Sequence, residues 1–334
     1  MKSKRSRQCI LLISLWAICM MLFLTIYGVS RSAWAAQWVD GKVQENWKAH
    51  RGRGSLSGVY SGLLDRVILE DVYQPGFSEK KVYLIGSCTV EELLDVNDMS
   101  VRERQEIENL GMPGYNFIDL KYLVDWFRSD YGFGQHFNKR TLILVGAYFE
   151  DTNPPGNPAI RSSFEASGLY DYSKDGEINT RHPLEPLGLW RMMRARIVNF
   201  IARVQYVRRS GRTGGSRVRP TNICPEINDT WLPQQLVAFR QLLEDLKATH
   251  ATVKVVILPA GSWLETPRRI EIRRQILEIC QQEKLDVVNL AHAVKDEQFI
   301  DTGHLAIEGQ QVTHSIVYPI IQQHMAEGNS PSSE

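Results

Sequence analysis

Three short segments of this chain carry side chains whose types and spacing could support acyl transfer: Gly86-Ser87-Cys88, Asn109-Leu110-Gly111-Met112-Pro113-Gly114 and Asp301-Thr302-Gly303-His304. A thiol or hydroxyl at the first segment is a nucleophile that needs a base. A carboxylate three residues before a histidine can orient the imidazole, so that its other nitrogen takes the nucleophile's proton and the imidazolium is stabilised. Cysteine suits the nucleophilic role because an imidazole and a helix N-terminus both favour the thiolate. Attack on an acyl donor would form a thioester, and the thioester can pass its acyl group to a hydroxyl.

The elements that must position these groups are legible around them. Val82-Tyr83-Leu84-Ile85 is an apolar run of the length and branching expected of a buried parallel strand. A glycine after it eases a sharp strand-to-helix turn, which places Cys88 at the carboxyl end of a strand and the start of a helix. Open α/β sheets bind their ligands at such places. His304 lies just before a helical pattern that begins near Ile307.

In this order the segments resemble the SGNH/GDSL hydrolase superfamily, over roughly residues 80 to 324. The resemblance implies an α/β fold with a doubly wound, mostly parallel sheet of flavodoxin-like type and helices on both faces. It makes Cys88 the nucleophile, with Ser87 one residue earlier as the alternative, and Asp301 and His304 the relay. It makes Gly114 an oxyanion donor, with the nucleophile's own amide as its partner. The family's third block supplies an oxyanion asparagine, but here Thr141-Leu142-Ile143-Leu144-Val145 runs into Gly146-Ala147-Tyr148-Phe149, and Tyr148 occupies the asparagine's place. A phenol can donate a hydrogen bond, whereas loss of one donor costs about 3 kcal/mol of transition-state stabilisation. Both a rebuilt site and a degenerate one that binds without turnover remain open.

The N-terminus has Lys2, Lys4, Arg5 and Arg7 before an uncharged, mostly apolar stretch from about Gln8 to Ser30. About 20 helical residues span about 30 Å of hydrocarbon, so one crossing is expected. The basic cluster favours a cytoplasmic N-terminus and puts everything after Arg31 outside. A single-pass inner-membrane protein with an extracytoplasmic catalytic domain follows. Ala33-Trp34-Ala35 offers the alternative of a cleaved signal peptide.

The divisions expected are 1–36 as basic tip and anchor, 37–80 as juxtamembrane linker, 81–326 as the α/β domain with an insertion at 150–225, and 327–334 as a disordered tail. Tyr115–Arg128, Trp231–Lys247, Pro267–Gln282 and Ile307–Met325 have helical spacing, and Thr252–Leu258 and Leu285–Leu290 read as strands. Proline and glycine make the stretch from Glu150 to Pro186 loop-rich, a candidate lid or acceptor-binding segment. Leu189 to Arg209 reads as an amphipathic helix, and from Arg191 to Arg219 there are nine arginines and no acid. Arg191, Arg194 and Arg203 are candidates for contact with an anionic lipid surface or glycan, against the alternative of an ordinary core-packing helix with a solvated face.

A net charge of +1 predicts no global attraction to nucleic acid. Cys9 and Cys19 fall in the apolar stretch, leaving Cys88, Cys224 and Cys280. Either Cys224 and Cys280 are bridged and Cys88 is free, or all three are reduced. The histidines show no metal-ligand spacing, so no metal site and no cofactor is expected.

Anchor, outward domain and mid-fold insertion together resemble the envelope-modifying members of the superfamily, those of teichoic acid D-alanylation and of polysaccharide O-acetylation. That resemblance implies an O-acyltransferase or esterase acting on a cell-envelope glycan, with an acyl donor and a membrane-bound O-acyltransferase as partner. The rival expectation is a non-catalytic scaffold of the same fold that binds anionic glycan or lipid, or partners the O-acyltransferase.

Overall fold

The computed structural model describes residues 2–30, 81–95, 98–112, 115–128, 137–152, 170–172, 178–180, 197, 227, 229–300 and 303–329. Lys2–Ser30 is one helix, α1. Its stretch Leu12–Val29 has a mean hydropathy of 2.2 and none of it is buried in the protein. At 1.5 Å per residue these 18 residues are about 27 Å long, which makes the helix long and apolar enough to span a membrane. A signal sequence has the same properties.

The domain is built on β1 (Val82–Ser87), β2 (Ile107–Met112), β3 (Leu142–Ala147), β6 (Thr252–Ile257) and β7 (Asp286–Asn289), in the spatial order β2-β1-β3-β6-β7. Every pairing in this sheet is parallel. Two of these strands are buried along their whole length, β1 and β3, which explains their nearly continuous apolar sequence. β2 was not evident from hydrophobic pattern. Glu108 and Asn109 interrupt it, and an edge strand tolerates them because its partner lies on one side only.

Between the strands lie α2 (Cys88–Glu91), α3 (Val101–Glu106), α4 (Phe117–Arg128), α5 (Leu232–Lys247) and α6 (Pro267–Gln282), and α7 (Ile307–Asn329) closes the chain. Right-handed crossovers that first move outward to β2 and then back past β1 put these helices on opposite faces. Contacts agree with that rule. Phe117 of α4 stacks on Phe239 of α5 at 4.4 Å between ring centroids, whereas Gln322 of α7 reaches Glu103 of α3 at 3.4 Å. On the same side the Asp95 N–H donates to His314 Nδ1 at 3.1 Å, and His314 stacks on Tyr318.

Local signals agree with most of these ends. Ser100 and Glu103 form a reciprocal capping box at α3, and the Ser100 hydroxyl, with Tyr318 after it, holds the Glu103 carboxyl down to about 2. Thr266 caps α6, with Pro267 in its first turn.

Two expectations need correction, and one helix was not foreseen. α3 and its capping box were missed. The loop-rich stretch contains a short antiparallel hairpin, β4 (Tyr170–Tyr172) with β5 (Ile178–Thr180). Glu327–Asn329, expected in a disordered tail, continue α7. Of the two cysteine alternatives, the reduced one holds at Cys280, a free thiol that is fully buried in the core and not bridged to Cys224. Desolvation pushes its thiol up to about 12, which leaves it un-ionised.

Candidate active site

The chain leaves β1 for β2 on one side and later returns to β3 on the other. That reversal opens a crevice beyond the carboxyl ends of β1 and β3, where doubly wound sheets bind ligands. Cys88 follows directly on β1 and begins α2, and Tyr148 follows directly on β3. β1 and β3 are paired from Val82↔Leu142 to Ile85↔Val145, so Cys88 and Tyr148 follow the carboxyl ends of neighbouring parallel strands.

Gly86 is required here for closeness, not for an unusual turn; the backbone conformation expected to explain it is absent. Its φ lies outside the left-handed region, and Ser87 is extended at φ −75° and ψ −176°. A Cβ at Gly86 would lie 2.2 Å from Val90 Cγ2, and one at Gly146 would lie 2.0 Å from the same atom. Two glycines on neighbouring strands thus form a seat for Val90, and α2 settles onto the sheet end. Asn109 on β2 supports the same turn. Its Nδ2 donates to the Val90 carbonyl at 3.4 Å, and its Oδ1 accepts from the Gly111 N–H at 3.0 Å.

The segment bearing His304 is folded against this turn. Phe299 and Leu305 form an isolated antiparallel bridge, the Ile300 N–H donates to the His304 carbonyl at 2.8 Å, and Ala306 N–H donates to the Gln298 carbonyl at 2.7 Å. Val294, Phe299 and Leu305 make a small buried cluster below it, with Trp263 set edge-on to Phe299 at 5.5 Å. Two hydrogen bonds then join the segment to α2. Thr89 Oγ1 donates to the Gly303 carbonyl at 3.5 Å, and the Leu305 N–H donates to Glu92 Oε2 at 2.5 Å.

Tyr148 reaches the same segment from β3. A Cβ built on Gly303 would lie 4.0 Å from the Tyr148 hydroxyl oxygen. The backbone of Tyr148 is committed elsewhere, because its N–H donates to Asp151 Oδ2 at 2.8 Å while the Asp151 N–H donates to its carbonyl at 3.0 Å. The side-chain donor of Tyr148 is its phenol hydroxyl. Behind it the ring packs on Phe149 at 4.2 Å, and the buried Arg269 lies over Phe149 at 5.3 Å.

Cys88 is half-buried at the rim and carries a free thiol. Ser87, the alternative nucleophile, is 5% exposed, and its Oγ has no hydrogen-bond partner among the described residues. His304 is half-buried. Cys88, Tyr148 and the His304 segment thus converge on one rim. Asp301, Gly114, Arg191, Arg194 and Arg203 lie outside the described residues. Ile197, on the apolar stripe expected for the arginine-rich helix, is helical and buried.

Thr89, Glu92 and Asp151 were not singled out from sequence. Glu92 had one available signal: it follows Cys88 by four residues, the offset that shares a helical face with it.

No protein-family model matches the chain, and no curated protein matches it. Among solved structures it is similar to protein YxiM of Bacillus subtilis, with a TM-score of 0.34 and 12% sequence identity, covering 74% of this chain and 57% of that one. The chain thus spans little more than half the length of that protein.

Proposed function

We propose that this chain is an acyl-transfer enzyme of the SGNH type, anchored in the membrane and acting on a cell-envelope glycan through Cys88 and His304. The observation that carries the reading is the hydrogen-bonded contact between the Cys88 turn and residues 303–305, located at the switch point of a parallel sheet. Cys88 Sγ attacks the carbonyl of an acyl donor, His304 accepts the thiol proton, and the leaving group departs with that proton. The resulting thioester is attacked by an acceptor hydroxyl, with His304 taking the hydroxyl proton and the Cys88 thiol re-formed. Asp301 orients His304 in this scheme, and the Gly114 and Cys88 amides with the Tyr148 hydroxyl hold the oxyanion. The N-terminal helix supports the membrane placement, and a membrane-bound O-acyltransferase is the partner that would bring acyl groups to an outward-facing site.

Intact-protein mass spectrometry of the full chain in detergent, after exposure to an activated acetyl ester, tests this reading. An adduct that survives Ser87→Ala but is lost in Cys88→Ala, and forms on the order of 10²- to 10⁴-fold more slowly in His304→Ala, is the expected result. A folded wild-type chain that takes up no acetyl group would overturn it in favour of a non-catalytic scaffold.

A further inference from the structure

Among the described residues, hydrogen bonds hold the main chain on both sides of His304, and two of them belong to the turn that carries Cys88. The Gly303 carbonyl accepts from Thr89, the Leu305 N–H donates to Glu92, and the His304 carbonyl accepts from Ile300 within its own loop. The residues joined by the first two contacts lie 214 and 213 positions apart in sequence. No continuous strand or helix links them. These two bonds and the apolar cluster beneath the loop therefore help set the relative position of sulfur and imidazole.

We propose that Glu92, assisted by Thr89, is a positioning residue that straps residues 303–305 to the nucleophile turn and thereby sets the His304 imidazole over Cys88. This inference rests on the acyl-transfer reading above and adds residues to it. Glu92 caps the single turn of α2, so its carboxylate and the Cys88 sulfur are carried by one rigid unit only five residues long. Its partner Leu305 is fully buried and bridged to Phe299, so the strap ends on a part of the loop that cannot readily shift. Thr89, 2% exposed, holds the peptide on the other side of His304. The pair thereby fixes the His304 Cα relative to α2. A displacement of about 1 Å between reacting groups costs on the order of 10²-fold in rate, so a strap of this kind is visible in kinetics even where the fold survives without it.

The test is a double-mutant cycle on the rate of Cys88 acetylation in the full chain, with amide hydrogen exchange at Leu305 as an activity-independent readout. Glu92→Ala is expected to slow acetylation by roughly 10- to 100-fold, Glu92→Gln, which keeps an acceptor oxygen, to recover most of that loss, and Thr89→Val to show a smaller loss that Thr89→Ser restores. In a His304→Ala background Glu92→Ala should add no further slowing, because a residue that acts through the imidazole has nothing left to position. Leu305 exchange should accelerate in Glu92→Ala and stay protected in His304→Ala. Equal slowing by Glu92→Ala with and without His304, or unchanged Leu305 exchange, overturns the proposal while leaving the acyl-transfer reading intact. If His304→Ala alone leaves the acetylation rate at the wild-type value, the acyl-transfer reading has failed and the positioning role falls with it.

Discussion

At the scale of single residues, the turn that carries Cys88 is organised by what is missing from Gly86 and Gly146. Each lacks the methyl group that would collide with Val90, at 2.2 and 2.0 Å respectively. Overpacking of this kind costs about 1–3 kcal/mol, and here the cost falls on the seat of α2. Gly146→Ala is therefore expected to lower the unfolding free energy, read by urea denaturation, by that amount and to slow Cys88 acetylation, and adding Val90→Ala should return much of both. Ser87 offers the opposite case. Its buried Oγ lacks a partner among the described residues, so its desolvation goes uncompensated there. Ser87→Ala should leave stability unchanged or raise it by up to about 1 kcal/mol, with acetylation retained; loss of the adduct in this variant alone would make Ser87 the nucleophile.

At the scale of elements, helix ends obey local rules with two conspicuous departures. After α6 the Lys284 N–H donates to Gln281 and the Leu285 N–H to Cys280, the two bonds of a Schellman motif. The central residue of that motif is left-handed and usually glycine, but here Lys284 adopts φ 55°. A side chain in that conformation costs about 1–2 kcal/mol, part of which glycine gives back as backbone entropy in the unfolded chain. Lys284→Gly is expected to stabilise the domain by ~0.5–1 kcal/mol, read as a raised midpoint in thermal or urea unfolding. His250, at φ 66° beyond α5, is a second position of the same kind. Both sites lie at the amino-terminal end of the following strand, away from the Cys88 rim, so acetylation should not change.

At the scale of the whole molecule, one buried carboxyl couples stability to pH. Desolvation raises Asp119 from 3.8 to about 7, against a weaker opposing effect from the Asn116 N–H, which donates to it at 3.4 Å. Between about pH 4 and pH 7 the folded chain holds a proton that the unfolded chain has released. Stability from this group is fully present below about pH 4 and is lost as pH rises through about 7. Asp119→Asn keeps an acceptor for the Asn116 N–H and should flatten that dependence, checked by urea unfolding at a series of pH values. The membrane relation of the chain is a second property of the whole. The full protein should remain in the membrane fraction after carbonate extraction with its N-terminus intact, and a chain lacking residues 2–30 should not; an N-terminus newly exposed after residue 35 would identify a cleaved signal instead.

The sequence alone determined the runs that became β1, β3, β6 and β7, the helices α4, α5, α6 and α7 to within a few residues, and the N-terminal apolar helix. These follow from periodicity and burial, which are properties of neighbouring residues. It also placed Cys88 at a strand end and His304 ahead of a helix, because glycine, strand and helix signals are local too. Tertiary structure alone decided the rest. β2, with Glu108 and Asn109 at its centre, is a strand because β1 offers it a full ladder from Val82 to Ser87, and the need for Gly86 is set by Val90 and shared with Gly146 on another strand. The strap from Glu92 to Leu305 crosses 213 positions, a separation that no local pattern encodes and that only the closing of the sheet brings within a hydrogen bond's length.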